Sequence, residues 1–433
     1  MRFVTDKAGF HNGLEDTKLS KIERGRDFCD RVIGGELMKD TYLDYAATTP
    51  TDPEVLAAMM PYFTELFGNP SSVYSFAAKS RKAIETARAQ VAKALNAEPD
   101  EIFFTGSGTE ADNWALKGTL QHLKSKGDHL ITTQIEHHGI LHTAEHLEKV
   151  EGFRVTTLPV DPEGRVRLED LEAAMTDKTV LVSVMFANNE VGTIQPIGQI
   201  GALCRKRGIL FHTDAVQAAA QLDIDVKALN IDMLSLSAHK MYGPKGVGGF
   251  YLRKGLRLEN FMHGGGQERG RRASTENTPG IVGLGVAIER MKARLPEEKA
   301  RLCALRDRLI DGVLSKIPRA KLNGARGDER LPNNTNFSFI GIEGETLLLD
   351  LDSKGISAST GSACSSGSLE PSHVLMALGL SHEMAHGSLR MTLGRGTTDE
   401  QIDYVLEVLP EIVARRRSMS PLWEDFLKRN GGK

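Results

Sequence analysis

Short runs of almost unbroken apolar residues recur along the chain from residue 102, each separated from the next by a longer stretch whose apolar positions repeat at helical spacing. The runs 102–105, 129–133, 153–158, 180–185, 209–213, 233–237 and 247–252 predict strands, and the stretches 109–124, 139–150, 168–175 and 197–206 predict helices. Strands that are apolar on both faces need cover on both faces, so the alternation predicts an α/β fold with a mostly parallel sheet between helical layers. Ahead of it, Thr51-Asp52-Pro53-Glu54 reads as a capping box that opens a helix from Pro53 to Phe67, and a second amphipathic helix spans Ser80 to Leu95.

Past residue 264 the pattern changes. A helical stretch from about Gly280 to Lys316 leads to strands near 335–340 and 388–393 and helices near 344–352 and 372–379, the composition of a smaller α+β domain. Thr398-Asp399-Glu400-Gln401 caps a last helix whose Ile402, Val405, Leu406, Leu409 and Val413 share one face. The expected organisation is a large domain over 38–290, a small domain over 291–417 and a tail over 418–433, with 38–60 a candidate to pack on the small domain. Residues 1–37 hold few apolar positions to offset the entropy of ordering them, and they carry acidic and basic residues in equal number, unlike a transit peptide. They are expected to be a mobile, dispensable extension, with Met38 the natural start.

Composition narrows the function classes. A formal net charge of −3 over 433 residues leaves no basic footprint for nucleic acid and no polybasic surface for a membrane, and no apolar run approaches a membrane span. Cys29, Cys204, Cys303 and Cys364 are far apart and form no CxxC pair, which argues against a zinc site or a disulfide framework and fits a reducing cytoplasm.

The candidate chemistry falls where apolar strands end, which is where ligands bind in such sheets. After the run ending at Leu236 comes Ser237-Ala238-His239-Lys240-Met241-Tyr242-Gly243-Pro244-Lys245-Gly246. A lysine at the end of a buried strand tends toward the neutral amine that condenses with an aldehyde. Spacing does not choose between Lys240 and Lys245, and an isolated SxHK is more often a surface lysine in a Gly-Pro turn. Asp214 ends the run Ile209-Leu210-Phe211-His212-Thr213, where it is either a helix cap or the carboxylate that keeps a pyridine nitrogen protonated, as pyridoxal phosphate requires. The run Ile102–Thr105 breaks at Gly106-Ser107-Gly108-Thr109 into a helix whose first amides are suited to a phosphate. Together the three point to pyridoxal 5′-phosphate.

With these in place the chain resembles a known family. The strings YLDYAATTP (42–50), FGNPSS (67–72), FTGSGTEADN (104–113), HTDAVQ (212–217), SAHKMYGPKGVG (237–248), GGGQERGRRAST (264–275) and STGSACSSGSLEPSHVL (359–375) are similar to those of cysteine desulfurases of the iron-sulfur-cluster assembly type, class-V aminotransferase enzymes. The resemblance implies an aspartate-aminotransferase-like fold and the conversion of L-cysteine to L-alanine with transfer of sulfur to an enzyme cysteine. It assigns the cofactor amine and general base to Lys240, the pyridinium partner to Asp214, the phenolic oxygen to Gln217, and the phosphate to Gly108, Thr109, Ser237 and His239. It puts Asn188 beside the ring, His137 stacked on it with an acid-base role, and Arg390 on the substrate carboxylate, with Arg395 near enough to compete for that role. Cys364, in a loop of small polar residues, becomes the sulfur acceptor. The arm 264–275 implies a homodimer in which Thr275 reaches the partner's cofactor phosphate, and the persulfide implies a sulfur-acceptor protein such as an iron-sulfur scaffold. Tyr74 departs from the histidine usual in the family.

Two further readings stand beside this one. Selenocysteine lyase would use the same seat, and a scaffold-binding protein with lapsed catalysis would not keep Lys240, Asp214 and Cys364 together. His138, His142 and His146 recur at i, i+4 and i+8, but nothing completes a metal motif around them, and no metal is expected.

Overall fold

The computed structural model describes residues 41–360 and 370–429. The extension 1–37, with Cys29, and Cys364, the expected acceptor, with most of its loop lie outside the described residues.

Twelve strands are described: β1 Thr41–Tyr42, β2 Ile102–Thr105, β3 His129–Thr133, β4 Arg154–Leu158, β5 Thr179–Ser183, β6 Leu210–Asp214, β7 Met233–Ser237, β8 Gly248–Leu252, β9 Ala320–Leu322, β10 Asn334–Phe339, β11 Ile356–Ser357 and β12 Ser388–Thr392. Seven form one sheet in the order β2-β8-β7-β6-β5-β3-β4, in which only β8 runs against its neighbours. The inner strands are buried along their whole length except at Leu210, which opens β6, whereas the edge strand β4 exposes Arg154 and Thr157. Since the parallel strands end together, Thr105, Thr133, Ser183, Asp214 and Ser237 deliver the connections that follow them to one rim of the sheet.

β12, β10 and β9 form a separate antiparallel sheet. The helix Thr278–Lys316 joins the two regions: Ile281, Leu284, Ile288 and Leu295 pack in the core of the seven-stranded sheet, and Leu302, Leu305, Leu309 and Val313 in that of the small sheet. Gly285 lets this helix lie directly on Ser75–Leu95, since a Cβ there would meet the Ala87 Cα at 2.7 Å.

Element types follow the apolar pattern closely, and the differences have identifiable causes. The helix expected over Pro53–Phe67 is two pieces, Pro53–Met59 and Pro61–Thr64, because Pro61 has no amide to donate to the turn before it. Its cap is Asp52 rather than Thr51, with Oδ1 accepting the Glu54 amide at 2.9 Å. The second helix starts at Ser75, before the expected Ser80. A helix, Pro421–Arg429, occupies much of the expected tail, where Arg417 lies over the Trp423 ring.

The segment that follows β1 crosses between the two sheets. β1 pairs with β11, and Thr392 of β12 donates its amide to the Leu43 carbonyl at 2.7 Å. A few residues on, the Thr49 amide donates to the His239 carbonyl at 3.0 Å and the Asp52 amide to that of Tyr242 at 2.9 Å. Residues 41–52 are thus a strap tied to the small sheet at one end and to the lysine turn at the other.

Candidate active site

The strand ends and the strap enclose a cavity of about 350 Å³. Gly108, Thr109, His137, Asp214, Gln217, Ser237, His239, Lys240 and Arg390 all line it. Asn188, Thr275 and Tyr74 do not.

Lys240 ends the short turn Ala238–Lys240 that follows β7. Its Nζ donates to the carbonyl oxygens of Ala46 at 2.6 Å and Ala47 at 2.7 Å, both on the strap. Gln217 Nε2 donates to the same Ala46 carbonyl at 3.0 Å. Lys245 is exposed, outside the lining. Geometry therefore separates the two lysines that spacing leaves open.

At one end of the cavity the helix Gly108–Leu123 presents its first turn, capped by Ser107, whose Oγ accepts the Glu110 amide at 3.1 Å. Gly108 is required there by packing, since a Cβ would come within 2.6 Å of Val216 Cγ2. Amides at the N-terminus of a 16-residue helix, with Ser237 and His239 opposite, form an anion seat. Burial, followed by the charges of Lys240 and Lys245, lowers the His239 pKa to about 4, so its ring is neutral, with Nδ1 at 3.1 Å from Thr48 Oγ1.

Asp214 sits deeper, and its Oδ1 accepts the Val216 amide at 2.9 Å. Burial raises its pKa, while His137, the Val216 amide and Lys240 pull it back. Asp112, fully buried beside it, is raised well above the usual range by burial and then by the charge of Asp214. Behind both, His212 is held between Ser183 Oγ at 2.9 Å and Ser235 Oγ at 3.0 Å, and burial drives its pKa down to about 3.

His137 caps the helix His138–Lys149, its Nδ1 accepting the Gly139 amide at 3.0 Å. His138 stacks on His142 with ring centroids 4.8 Å apart and meets the tilted ring of His373 at the same separation, while His146 turns to Glu151 at 3.3 Å. The helical spacing of histidines thus does not converge on one point, and among the described residues no group of three or more His, Cys, Asp or Glu is arranged to hold a metal ion.

The expected place of Asn188 beside the ring is corrected by its hydrogen bonds. Its Nδ2 donates to the Ile135 carbonyl at 2.9 Å, and its Oδ1 accepts the amides of Glu190 and Val191, both at 2.9 Å, so the side chain is spent holding its own loop. It is Asn189 that lines the cavity. Thr275 is exposed, away from the cavity of its own chain. The arm before it is more anchored than its charges imply: buried Glu268 takes the Arg88 Nη1 and Nη2 at 2.9 Å, and Arg272 pairs with Glu110 in the first turn of the helix Gly108–Leu123.

Sequence reasoning passed over the Ala46 and Ala47 carbonyls, Asp44, Asp112, Glu136, Glu190 and His373. All but Asp44 line the cavity. The LDYAATTP string offered a signal for the strap, and Glu136 immediately precedes the histidine already singled out.

The pattern described as aminotransferase class-V matches residues 41–405. The chain belongs to the class-V aminotransferase family. Among curated relatives, the cysteine desulfurase IscS of Clostridium botulinum is 65% identical over 391 residues, covering 90% of this chain and 98% of that one. The cysteine desulfurase IscS of Methanosarcina thermophila is 57% identical over 384 residues, covering 89% and 94%. Among solved structures, a NifS-like protein superposes with a TM-score of 0.82 at 39% identity, covering 87% of this chain and all of that one. The structure titled SspA in complex with cysteine superposes at 0.73 with 40% identity, covering 82% and 98%.

Class-V aminotransferases of this kind depend on pyridoxal 5′-phosphate, and the residues present fit that group. The helix amides suit its phosphate, the buried Asp214 carboxylate calls for a cationic partner such as the pyridinium N–H, and the Lys240 amine stands in the same cavity. No described helix of this class-V aminotransferase is long and apolar enough to cross a membrane.

Proposed function

We propose that the chain is a cysteine desulfurase that converts L-cysteine to L-alanine and passes the sulfur to its own Cys364 as a persulfide. The observation that carries the reading is the meeting, in one cavity, of a lysine amine, a buried aspartate, a helix-amide anion seat and a buried arginine. The relatives named cysteine desulfurase, matched over nine-tenths of the chain, select this reaction among those the family performs.

Pyridoxal phosphate, when bound, supplies an aldehyde for the substrate amine and an electron sink for bonds breaking next to it. Gly108, Thr109, Ser237 and His239 hold its phosphate, Asp214 its ring nitrogen and Gln217 its phenolic oxygen. Lys240 Nζ takes the proton from the substrate's α carbon and returns it at the end of the cycle. His137 would stack on the ring and give or take a proton at the mouth. Arg390 binds the substrate carboxylate through charge-assisted hydrogen bonds.

Cys364 thiolate attacks the substrate's sulfur. The Cβ–S bond breaks, its electron pair stays with the carbon fragment, and that carbon takes up a proton to become the methyl group of alanine. The sulfur leaves as the outer atom of a Cys364 persulfide, so one thiol and one cysteine yield one persulfide and one alanine with no external oxidant.

The working unit in this reading is a homodimer in the cytoplasm, handing sulfur to an acceptor protein such as an iron-sulfur scaffold. Supporting the dimer, Leu56, Met60, Phe63, Phe67, Val73, Tyr74 and Phe76 expose apolar side chains along one stretch, the kind of patch a partner subunit covers. Thr275, outside its own cavity, is then available to a neighbour's. Among the described residues Cys204 and Cys303 are unpaired, in keeping with a reducing compartment.

The test is to give the cofactor-loaded protein L-cysteine and a thiol reductant. Alanine and sulfide should appear in equal amounts, and alanine production should stop when the cofactor is removed. Pyruvate and ammonia in place of alanine would reject the desulfurase reading.

A further inference from the structure

We infer that Asp44 is the positioning residue of the carboxylate site, holding the Arg390 guanidinium in the cavity wall where the substrate's carboxylate meets it. This rests on the reading of Arg390 as the carboxylate partner and adds a residue to which no role is assigned above.

Arg390 cannot relocate its backbone. It is paired with Asn336 within β10, its amide donates to the Ser359 carbonyl at 2.6 Å, and its own carbonyl accepts the Ser359 amide at 3.1 Å. Where the guanidinium points is therefore decided by its side-chain partners. Nη1 donates to the Asn189 carbonyl at 3.1 Å and Nη2 to Asp44 Oδ1 at 2.8 Å, while Nε is buried with no hydrogen-bond partner among the described residues.

Arg390 lines the cavity yet is only 2% exposed as a residue, so its guanidinium keeps its direction through the groups it meets. The buried arginine Arg330 is fixed at every nitrogen, its Nε donating to the Ala325 carbonyl, Nη1 to Asn334 and Nη2 to the Asn323 carbonyl. Arg390 faces the cavity and, among the described residues, is fixed through Nη1 and Nη2 alone.

Asp44 is placed to hold that orientation. Its backbone bridges to Thr392, two residues along β12 from Arg390, so the two side chains spring from one fixed frame. A carboxylate on Nη2 and a carbonyl on Nη1 pin the plane of the guanidinium in two places. The cavity-facing guanidinium is then already aligned when a carboxylate arrives, and the entropy of aligning a long side chain is not lost at binding.

The experiment uses the cofactor-loaded enzyme and two probes, L-alanine and ethylamine, which is alanine without its carboxylate. Binding is read from the change in the visible absorption of the bound cofactor. Asp44→Ala should weaken L-alanine roughly tenfold or more and leave ethylamine unchanged, the loss expected for a misaligned charge-assisted hydrogen bond. Asp44→Asn, nearly isosteric and still an acceptor, should retain most of the preference, losing about threefold, and serves as the test if Asp44→Ala does not fold.

Arg390→Ala should erase the preference. If it does while both Asp44 variants keep the wild-type ratio of affinities, the positioning role is wrong and the carboxylate reading stands. A ratio that rises on removing Asp44 would mean that Asp44 competes with substrate, and equal losses for both probes would mean general damage; either overturns the inference. If Arg390→Ala keeps the ratio, the carboxylate reading fails and the role of Asp44 falls with it.

Discussion

Lys240 Nζ lies 2.6 Å from the carbonyl oxygen of Ala46, a residue 194 positions earlier in the chain. The strap that carries Ala46 is tied to the small sheet through Leu43 and Thr392 and carries Asp44, the partner of Arg390, so one element holds both the amine and the guanidinium. Position along the chain, rather than residue type, separates this lysine from exposed Lys245.

Lys240→Ala should abolish the visible absorption of the lysine-bound cofactor, and Lys245→Ala should retain it. An unchanged spectrum in Lys240→Ala would assign the amine elsewhere.

Glu268 and Arg88 should matter for stability. The pair is buried and bidentate, and Glu268 Oε2 also accepts the Phe104 amide at 3.0 Å. Glu268→Ala leaves a buried guanidinium uncompensated and should cost about 3–5 kcal/mol in urea unfolding at fixed cofactor content. A cost below about 1 kcal/mol would mean that the arm is not anchored through this pair.

Thr275 gives a test of the dimer. If it reaches the neighbour's phosphate, mixing Thr275→Ala with Lys240→Ala subunits yields heterodimers with one site carrying both lesions and one intact. Cofactor absorption and activity should return to about half per heterodimer on mixing. No recovery would keep the threonine within its own subunit.

The apolar pattern predicts element types and bounds well, because strands buried on both faces leave no ambiguity of period and the glycines beside them end each run. The site is legible where residues that carry chemistry end the apolar strands, as for Lys240 and Asp214, although the cavity and not the spacing sets Lys240 apart from Lys245. It is not legible where the backbone decides: the Ala46 and Ala47 carbonyls leave no mark in a side-chain pattern, and only the fold shows that Asn189 rather than Asn188 lines the cavity. Glu268 reads as a charge in a basic, glycine-rich arm, and only the fold brings it against Arg88.

Glu136 makes stability depend on pH. Its Oε1 accepts from Thr133 and from the Met185 amide, but burial dominates and pushes its pKa from 4.5 up to about 8. Between those values the folded chain keeps a proton that the unfolded chain has released, so this group's contribution to stability falls as pH rises and levels off above about 8. Glu136→Gln stays neutral throughout. The melting temperature of the variant should gain on wild type between about pH 5 and pH 8, and a difference that does not change with pH would contradict the assignment.

The central claim is that the substrate's sulfur moves to Cys364, and sulfur-labelled L-cysteine follows it most directly. After one turnover without reductant, digestion and mass analysis should find one added, labelled sulfur atom on the peptide carrying Cys364, released by a thiol, with none on the peptides of Cys204 or Cys303. Cys364→Ser should bind the cofactor and take up L-cysteine without forming a persulfide. Label on another cysteine, or a full first-turnover yield of alanine from Cys364→Ser, would contradict the account.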